Sequence, residues 1–373
     1  MAHCLHATRR LVPGRERVGD RESLMPAPPL ISICILSGHG AEALDACLES
    51  LRAQVSPPAF ELVVGGPCGP DAVSVVRRHF PDAQICPSED GHPGSARNSL
   101  IERAGGELLL FLDDDVTVRP DLLQRLERTA ASFPEASVFG GPNDTPPWSS
   151  LFEVVQGAVL GSAIGSGPVS RRYGARHPGP ADERWFTLCN LAVRRAVMVP
   201  FVSDLVCAEE NALLSQLRAR GEQMRYDPGL RVFHSRRPTW RKFARQMLKY
   251  GRGRGQLLAR SPGTFRAAYL APTALLLYLL LIPVLLALGV GLVPALAPLV
   301  LYLALVISSA LWIGLTLGKP LSIPLAAWLT MTVHVCYGAG VLQGMISRLQ
   351  ARSGSPARWS AKLEDALVHE RHD

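Results

Sequence analysis

Between residues 267 and 347 the only formally charged side chain is Lys319, whereas the chain before it is rich in Arg, Asp and Glu. Residues 270–290 and 292–317 form two apolar stretches separated near Gly291 and Pro294. Each is long enough to cross a bilayer core of about 30 Å as helix. Residues 322–346 are a weaker third candidate. A buried globular core is the alternative, but so long an uncharged run argues against it. The segment 267–346 is therefore expected to hold two to three transmembrane helices. A third crossing would place Arg348, Arg352 and Arg358 on the far side, against the usual bias of basic residues, unless the segment around His334 packs without crossing.

The 373 residues leave room for a sizeable α/β domain ahead of that tract. Residues 1–28 carry Arg and Pro throughout and lack an apolar core, so they are expected to be a disordered basic leader and not a secretory signal. The domain at 29–235 then remains in the cytoplasm. Between 236 and 266 lie ten cations, from Arg236 to Arg266, immediately before the first apolar stretch, as the positive-inside rule requires. Trp240, Phe243, Met247 and Tyr250 recur among them at helical spacing, which predicts an amphipathic helix at a membrane interface. The net charge of +7 thus points to anionic lipid and not to nucleic acid. A polar tail, 347–373, closes the chain. The eight cysteines show no paired spacing and are expected to be reduced thiols.

Within the domain, short apolar runs alternate with helical patterns as far as about residue 130. Strands are expected at 31–36, 60–64, 83–86 and 108–112, with helices at 73–80, 94–104 and after residue 40. That order predicts a mostly parallel sheet flanked by helices. The strand Leu108, Leu109, Leu110, Phe111 and Leu112 runs directly into Asp113, Asp114 and Asp115. The carboxyl end of a strand is where an open α/β sheet binds ligands. Three carboxylates there repel one another unless a cation or hydrogen-bonded ligand compensates them, and a divalent metal carrying a phosphorylated substrate would do so. The alternative is a solvated acidic turn ahead of a helix. The Gly-, Pro- and Ser-rich stretch 138–184 reads as a long connection over the active-site face.

Four blocks, in order, resemble inverting family 2 glycosyltransferases of the nucleotide-diphospho-sugar transferase fold. They are ISICILSGHGAEALDACLESLRAQ, GSARNSLIERAGGELLLFLDDDVTVRP, CNLAVRRAVM and AEENALLSQLRARGEQMRYDPGLRVFH, and the likeness covers roughly residues 29–255. The resemblance implies metal-dependent, inverting transfer of a sugar from a nucleotide sugar to a lipid-linked or growing cell-envelope saccharide, at the inner (plasma) membrane. It implies Mg or Mn held by Asp115 and Asp113, donor contacts from Leu36, Ser37, Arg97, Asn98, Asp113 and Asp114, and a catalytic base at Glu210 or its neighbour Glu209. A departing diphosphate gathers negative charge, which a metal stabilises, and inversion needs a base on the acceptor hydroxyl.

Three features stand apart from the family's pattern. The second strand ends in Gly65 and Gly66 where paired aspartates are usual, so base recognition by a carboxylate is not implied; backbone groups of Leu36 and Ser37, or Asp71, Glu89 or Asp90, would have to replace it. His234 stands at a strand end where it is either a structural hydrogen-bonding residue or a neighbour of the metal. Gln246, Lys249 and Tyr250 look like a degenerate Gln-x-x-Arg-Trp motif and are candidate acceptor or diphosphate contacts. Rival readings are transfer to polyprenyl phosphate itself and a catalytically inactive membrane scaffold.

Overall fold

The computed structural model describes residues 30–88, 92–174, 176–205, 207–260 and 266–352. The basic leader, Glu89, Asp90, Cys4 and most of the polar tail lie outside the described residues. The first half runs β1 (Ile31–Leu36), α1 (Ala41–Arg52), β2 (Phe60–Gly66), α2 (Pro70–His79), β3 (Gln84–Pro87), α3 (Pro93–Arg103), β4 (Leu108–Asp113), β5 (Val116–Val118), α4 (Leu122–Ser132), β6 (Ala136–Gly140) and β7 (Asn143–Asp144). Next come α5 (Leu151–Leu160), α6 (Ala163–Ser166), β8 (Gly179–Ala181), β9 (Leu191–Arg194), α7 (Glu209–Ala219), β10 (Gln223–Tyr226) and β11 (Val232–His234). Four helices close the chain: α8 (Trp240–Arg260), α9 (Ala271–Ala287), α10 (Leu292–Leu317) and α11 (Ser322–Arg352).

The main sheet has the order β3-β2-β1-β4-β9-β6-β10-β8. Its left half is parallel, and β9 enters antiparallel between β4 and β6. The expected mostly parallel sheet with flanking helices is the fold observed. β1 and β4 are buried on both faces, which is why both read as unbroken apolar runs. Leu44, Leu48 and Leu51 of α1 pack on one face of the sheet, and Leu100, Leu213 and Leu217 on the other. A second sheet, β5-β11-β7, stands at the carboxyl edge of the first, and places His234 opposite Val116, directly after the aspartates.

The stretch expected to be one long connection is more ordered than that. It contains β6, β7 and the apolar helix α5, started by a capping box between Ser150 and Glu153. Its Gly and Pro content masked a short apolar helix that packs with Phe243 and Met247 of α8 and Ala326, Leu329 and Val333 of α11. The expected amphipathic stripe of α8 divides: Phe243 and Met247 are buried there, whereas Trp240 and Tyr250 stay exposed.

Among the described residues two helices, α10 and α11 up to Arg348, are long and apolar enough to cross a membrane. The span expected at 270–290 is shorter, because α9 has 17 residues, whereas the weaker candidate at 322–346 lies in one of the two long helices. α8 and α11 touch backbone to backbone. A Cβ on Gly251 or Gly255 would lie 2.1 or 2.2 Å from the carbonyl oxygens of Tyr337 and Val341, and one on Gly340 or Gly344 would meet the carbonyls of Leu248 and Arg252 as closely. Only glycine permits that approach.

Candidate active site

The carboxyl edge of β4 delivers three aspartates to three different tasks. Asp114 is fully buried. Its Oδ2 accepts the backbone N–H groups of Gly38 and His39 at 2.7 and 2.8 Å, and its Oδ1 lies 2.6 Å from His39 Nδ1. Both oxygens of Asp114, expected as a donor contact, thus meet the loop after β1 and shape it from beneath. The His39 imidazole is pushed down by burial, but the hydrogen bond to Asp114 and the two carboxylate charges outweigh this and leave it above its ordinary value.

Asp115 faces His234, whose Nε2 is 2.9 Å from Oδ1, and Arg237, whose Nη1 is 3.3 Å from Oδ2. His39 Nε2 stands 3.5 Å from the same Oδ2. Burial alone would raise the Asp115 carboxyl; the charges of His234, His39 and Arg237 overcome it and hold the group far below the usual carboxylate range. Buried Asp115 Oδ1 nevertheless accepts no aligned hydrogen bond, and His234 Nδ1 is likewise unpartnered. A buried carboxylate oxygen met only by a poorly aligned imidazole gains from a further ligand. The ligand atoms of Asp113, Asp115 and His234 lie within 4.8 Å of one another, a donor set of hard oxygens and one imidazole that fits a divalent cation.

Asp113 is held by Arg97, whose Nη2 donates to its Oδ1 at 2.9 Å. The other arm of the same buried guanidinium donates to Glu209 Oε1. Asn98, expected beside it at the nucleotide, is instead a clamp. Its Nδ2 donates to the Phe201 carbonyl at 3.0 Å and its Oδ1 accepts the Phe201 N–H at 2.7 Å, because the amide faces the backbone that leads into α7. Arg97 and Asn98 together therefore tie α3 to the acidic helix start.

Glu209 and Glu210 open α7 after Ala208, which holds a left-handed conformation at φ 71°. Burial raises the Glu209 carboxyl, and Arg97 offsets this only in part; its Oε2 has no partner. Glu210 Oε1 accepts from Asn211 Nδ2 at 2.5 Å and lies 3.3 Å from Arg172 Nη1. Asn211 Oδ1 in turn accepts from Arg172 and from Arg254, each at 2.9 Å. Arg172 arrives from the 3-10 turn Gly167–Arg172 and Arg254 from α8. No motif singled out His39, Arg172, Asn211 or Arg254. The SGHG turn straight after β1 was the one legible hint, for His39.

The remaining expected residues are placed as follows. Ser37 donates its backbone N–H to Gly65 O at 2.8 Å, so that group is closed to a nucleotide base; Leu36 ends β1 beside it. Gly66 adopts φ +98°, and a Cβ there would lie 2.5 Å from the Ser37 carbonyl. A carboxylate at this point, usual in the resembled family, is excluded by the backbone itself. Gln246 donates to the Tyr250 hydroxyl at 3.1 Å. The Lys249 side chain is exposed, and its carbonyl accepts from Cys207 at 3.1 Å.

Residues 32–147 match the family model described as glycosyl transferase family 2. The chain is similar to succinoglycan biosynthesis protein ExoO of Rhizobium meliloti (strain 1021), 32% identical over 114 residues that cover 30% of this chain and 32% of that protein. It is also similar to the putative glycosyltransferase EpsH of Bacillus subtilis (strain 168), 28% identical over 105 residues, or 27% of this chain and 30% of the relative. The match spans about a third of each relative's length. In fold the chain is similar to the mannosyltransferase PcManGT from Pyrobaculum calidifontis in complex with GDP-Man and Mn2+, with a TM-score of 0.58 at 18% identity, covering 87% of this chain and 88% of that one.

Proposed function

We propose that this chain, whose residues 32–147 match the glycosyl transferase family 2 model, transfers a sugar from a nucleotide-sugar donor, with inversion, to a lipid-linked or growing cell-envelope saccharide. The observation that carries this reading is the Arg97 bridge, which joins the aspartate edge at Asp113 to the acidic helix start at Glu209. Donor diphosphate and acceptor hydroxyl would meet across it.

Asp113, Asp115 and His234 would hold a divalent cation, Mg or Mn, which when bound would supply positive charge to the diphosphate. Glu210 is the base: it removes the proton of the acceptor hydroxyl as that oxygen bonds to the anomeric carbon and the bond to the diphosphate breaks. Its side chain keeps 11% exposure against 5% for Glu209, so it is the acid with access to an incoming acceptor. Arg172 and Asn211 hold its Oε1 and aim the carboxylate. Glu209 fixes Arg97, and Arg97 fixes Asp113. Tyr250 and Gln246 line the acceptor side near Arg237.

The division at work is a catalytic domain at 29–235, the α8 segment at 236–266 and membrane-attached helices at 267–346. The catalytic domain would act on the cytoplasmic face of the plasma membrane, where nucleotide sugars are available, with membrane lipid as a partner. The decisive experiment incubates the full chain in membranes with a panel of UDP-, GDP- and dTDP-sugars and reads released nucleotide with and without Mn2+. Release that needs both metal and a saccharide acceptor supports the reading; no donor turning over or binding sinks it. If E210Q turns over at the wild-type rate on polyprenyl phosphate, whose acceptor oxygen is already an anion, the rival acceptor is correct.

A further inference from the structure

We propose that the C-terminal helices seat the protein on a single leaflet of anionic phospholipid, lying along the membrane instead of crossing it. This goes beyond the transfer reaction and does not depend on it. Two contacts pin α11 to the catalytic domain, one at its middle and one near its carboxyl end. His334 Nε2 lies 2.8 Å from the Ile164 carbonyl at the end of α5 and start of α6, and Arg348 Nη2 donates to Asp204 Oδ2 at 2.5 Å. With Ala326, Leu329 and Val333 of its first half packed on Val155 and Val159 of α5 as well, the helix is held along its length and runs along that domain.

α8 makes the same demand. It is parallel to α11 and in contact from Trp240, whose Nε1 donates to Thr332 at 3.0 Å, to Gly255 against Val341. Over that length α8 exposes Arg241, Lys242 and Lys249. If α11 crossed the bilayer, these cations would be carried into its hydrocarbon core, where each is strongly disfavoured. With α8 and α11 in the membrane plane, the cations lie at the headgroups, where anionic lipid attracts them.

The other face of α11 carries α10 and α9: Tyr302 of α10 meets His334 Nδ1 at 3.0 Å, and Gly338 lies under the Pro272 carbonyl. Beyond them, among the described residues, the rest of α10 is uncovered. Leu292, Leu301, Leu305, Ile307 and Trp312 are 62%, 64%, 47%, 53% and 72% exposed. They lie around more than half of the helix circumference, leaving only the side of Val306, Ala310 and Ile313 packed, so the occupant must wrap the helix, as acyl chains do. Trp240 and Trp328, ring centroids 5.8 Å apart and both part exposed, mark the edge between this apolar layer and the cations of α8, the level at which indole rings sit in membranes.

The test labels single reporters in the full chain with a membrane-impermeant maleimide, in sealed vesicles of both orientations, above the background of the parent chain. V290C lies between α9 and α10, K319C between α10 and α11, and S132C on the catalytic domain. The proposal expects V290C and K319C to be labelled from the same face as S132C, or from neither face until detergent is added. Labelling of either one from the opposite face overturns it. A second measurement asks what covers the apolar layer: chain freed of detergent should bind vesicles of phosphatidylcholine and phosphatidylglycerol. A soluble oligomer that ignores those vesicles would mean that a second copy is the occupant, and the proposal fails.

Discussion

Arg97 donates to Glu209 with one arm of its guanidinium while the other holds Asp113, so a single buried side chain on α3 sets the spacing between the two acids. Lysine keeps the charge but presents a point donor that cannot span both. Arg97→Lys is therefore expected to fold and bind donor but lose turnover by roughly 100-fold, the scale of a displaced catalytic group. Steady-state kcat and donor KM, measured with circular dichroism as a folding control, check this. A variant with wild-type kcat would show that the bridge is only structural.

Glu210 and Glu209 should separate in mutation. Glu210→Gln removes the base and is expected to lower kcat by about 10²- to 10⁴-fold on a saccharide acceptor. Glu209→Gln keeps the base and weakens the hold on Arg97, so its loss should be smaller. Burial also raises the Glu209 carboxyl, which on acidification takes up its proton ahead of an ordinary carboxylate and loosens its grip on Arg97. The acid limb of the pH–rate profile should consequently move to lower pH in Glu209→Gln, whose amide does not titrate. Equal losses and equal profiles in the two variants would contradict these roles.

The donor set of Asp113, Asp115 and His234, gathered at one point, predicts that metal stabilises the fold even without donor. A cation at about 100 times its dissociation constant adds roughly 2.7 kcal/mol to stability. Thermal unfolding with Mn2+ titrated in should show a rise in midpoint that EDTA reverses and that Asp115→Asn abolishes. No shift in the wild-type chain would remove the metal from this site.

How much of this was legible in the sequence follows from how each residue does its work. β4 and its three aspartates stood out because a strand buried on both faces is a continuous apolar run and three adjoining carboxylates are costly without compensation. The separate tasks of those aspartates were not legible, since they depend on the small β5-β11-β7 sheet, whose strands are two or three residues long and come from distant segments. Arg172 reaches Glu210 across 38 positions from a 3-10 turn with no periodicity. α10 and α11 announced themselves as apolar helices, but their path along α8 is set by glycine contacts such as Gly251 against Tyr337, which hydropathy does not encode.

Gly66 marks where the family's usual carboxylate cannot be restored. Gly66→Asp would require a left-handed φ of +98° and bring Cβ to 2.5 Å from the Ser37 carbonyl. Backbone strain of that kind costs on the order of 1–3 kcal/mol, with the clash added to it. The midpoint of thermal unfolding should fall by several degrees, and donor binding should not improve. Tighter binding of UDP by this variant would show that the loop tolerates the side chain.

Acid stability should depend on Asp227, which closes β10 onto α4. Arg125 donates to both its oxygens at 2.9 and 2.7 Å, Thr129 donates at 2.9 Å and the Gly229 N–H at 2.8 Å. Burial would raise this carboxyl, but Arg125, Gly229 and Thr129 together bring it below its ordinary value. The folded chain therefore holds the ionised form at pH values where the unfolded chain, titrating near 3.9, has begun to protonate. The stabilisation is fully present above that unfolded value and is lost as pH falls through the lower folded one. Arg125 is 46% exposed, so solvent screens the pair, and Asp227→Asn is expected to cost roughly 1–2 kcal/mol at pH 7. Comparing urea midpoints of the two chains at pH 7 and near pH 3 isolates the effect, because every other carboxylate is common to both. The gap should narrow at acid pH; a gap that stays constant or widens would show that Asp227 acts by packing and not by charge.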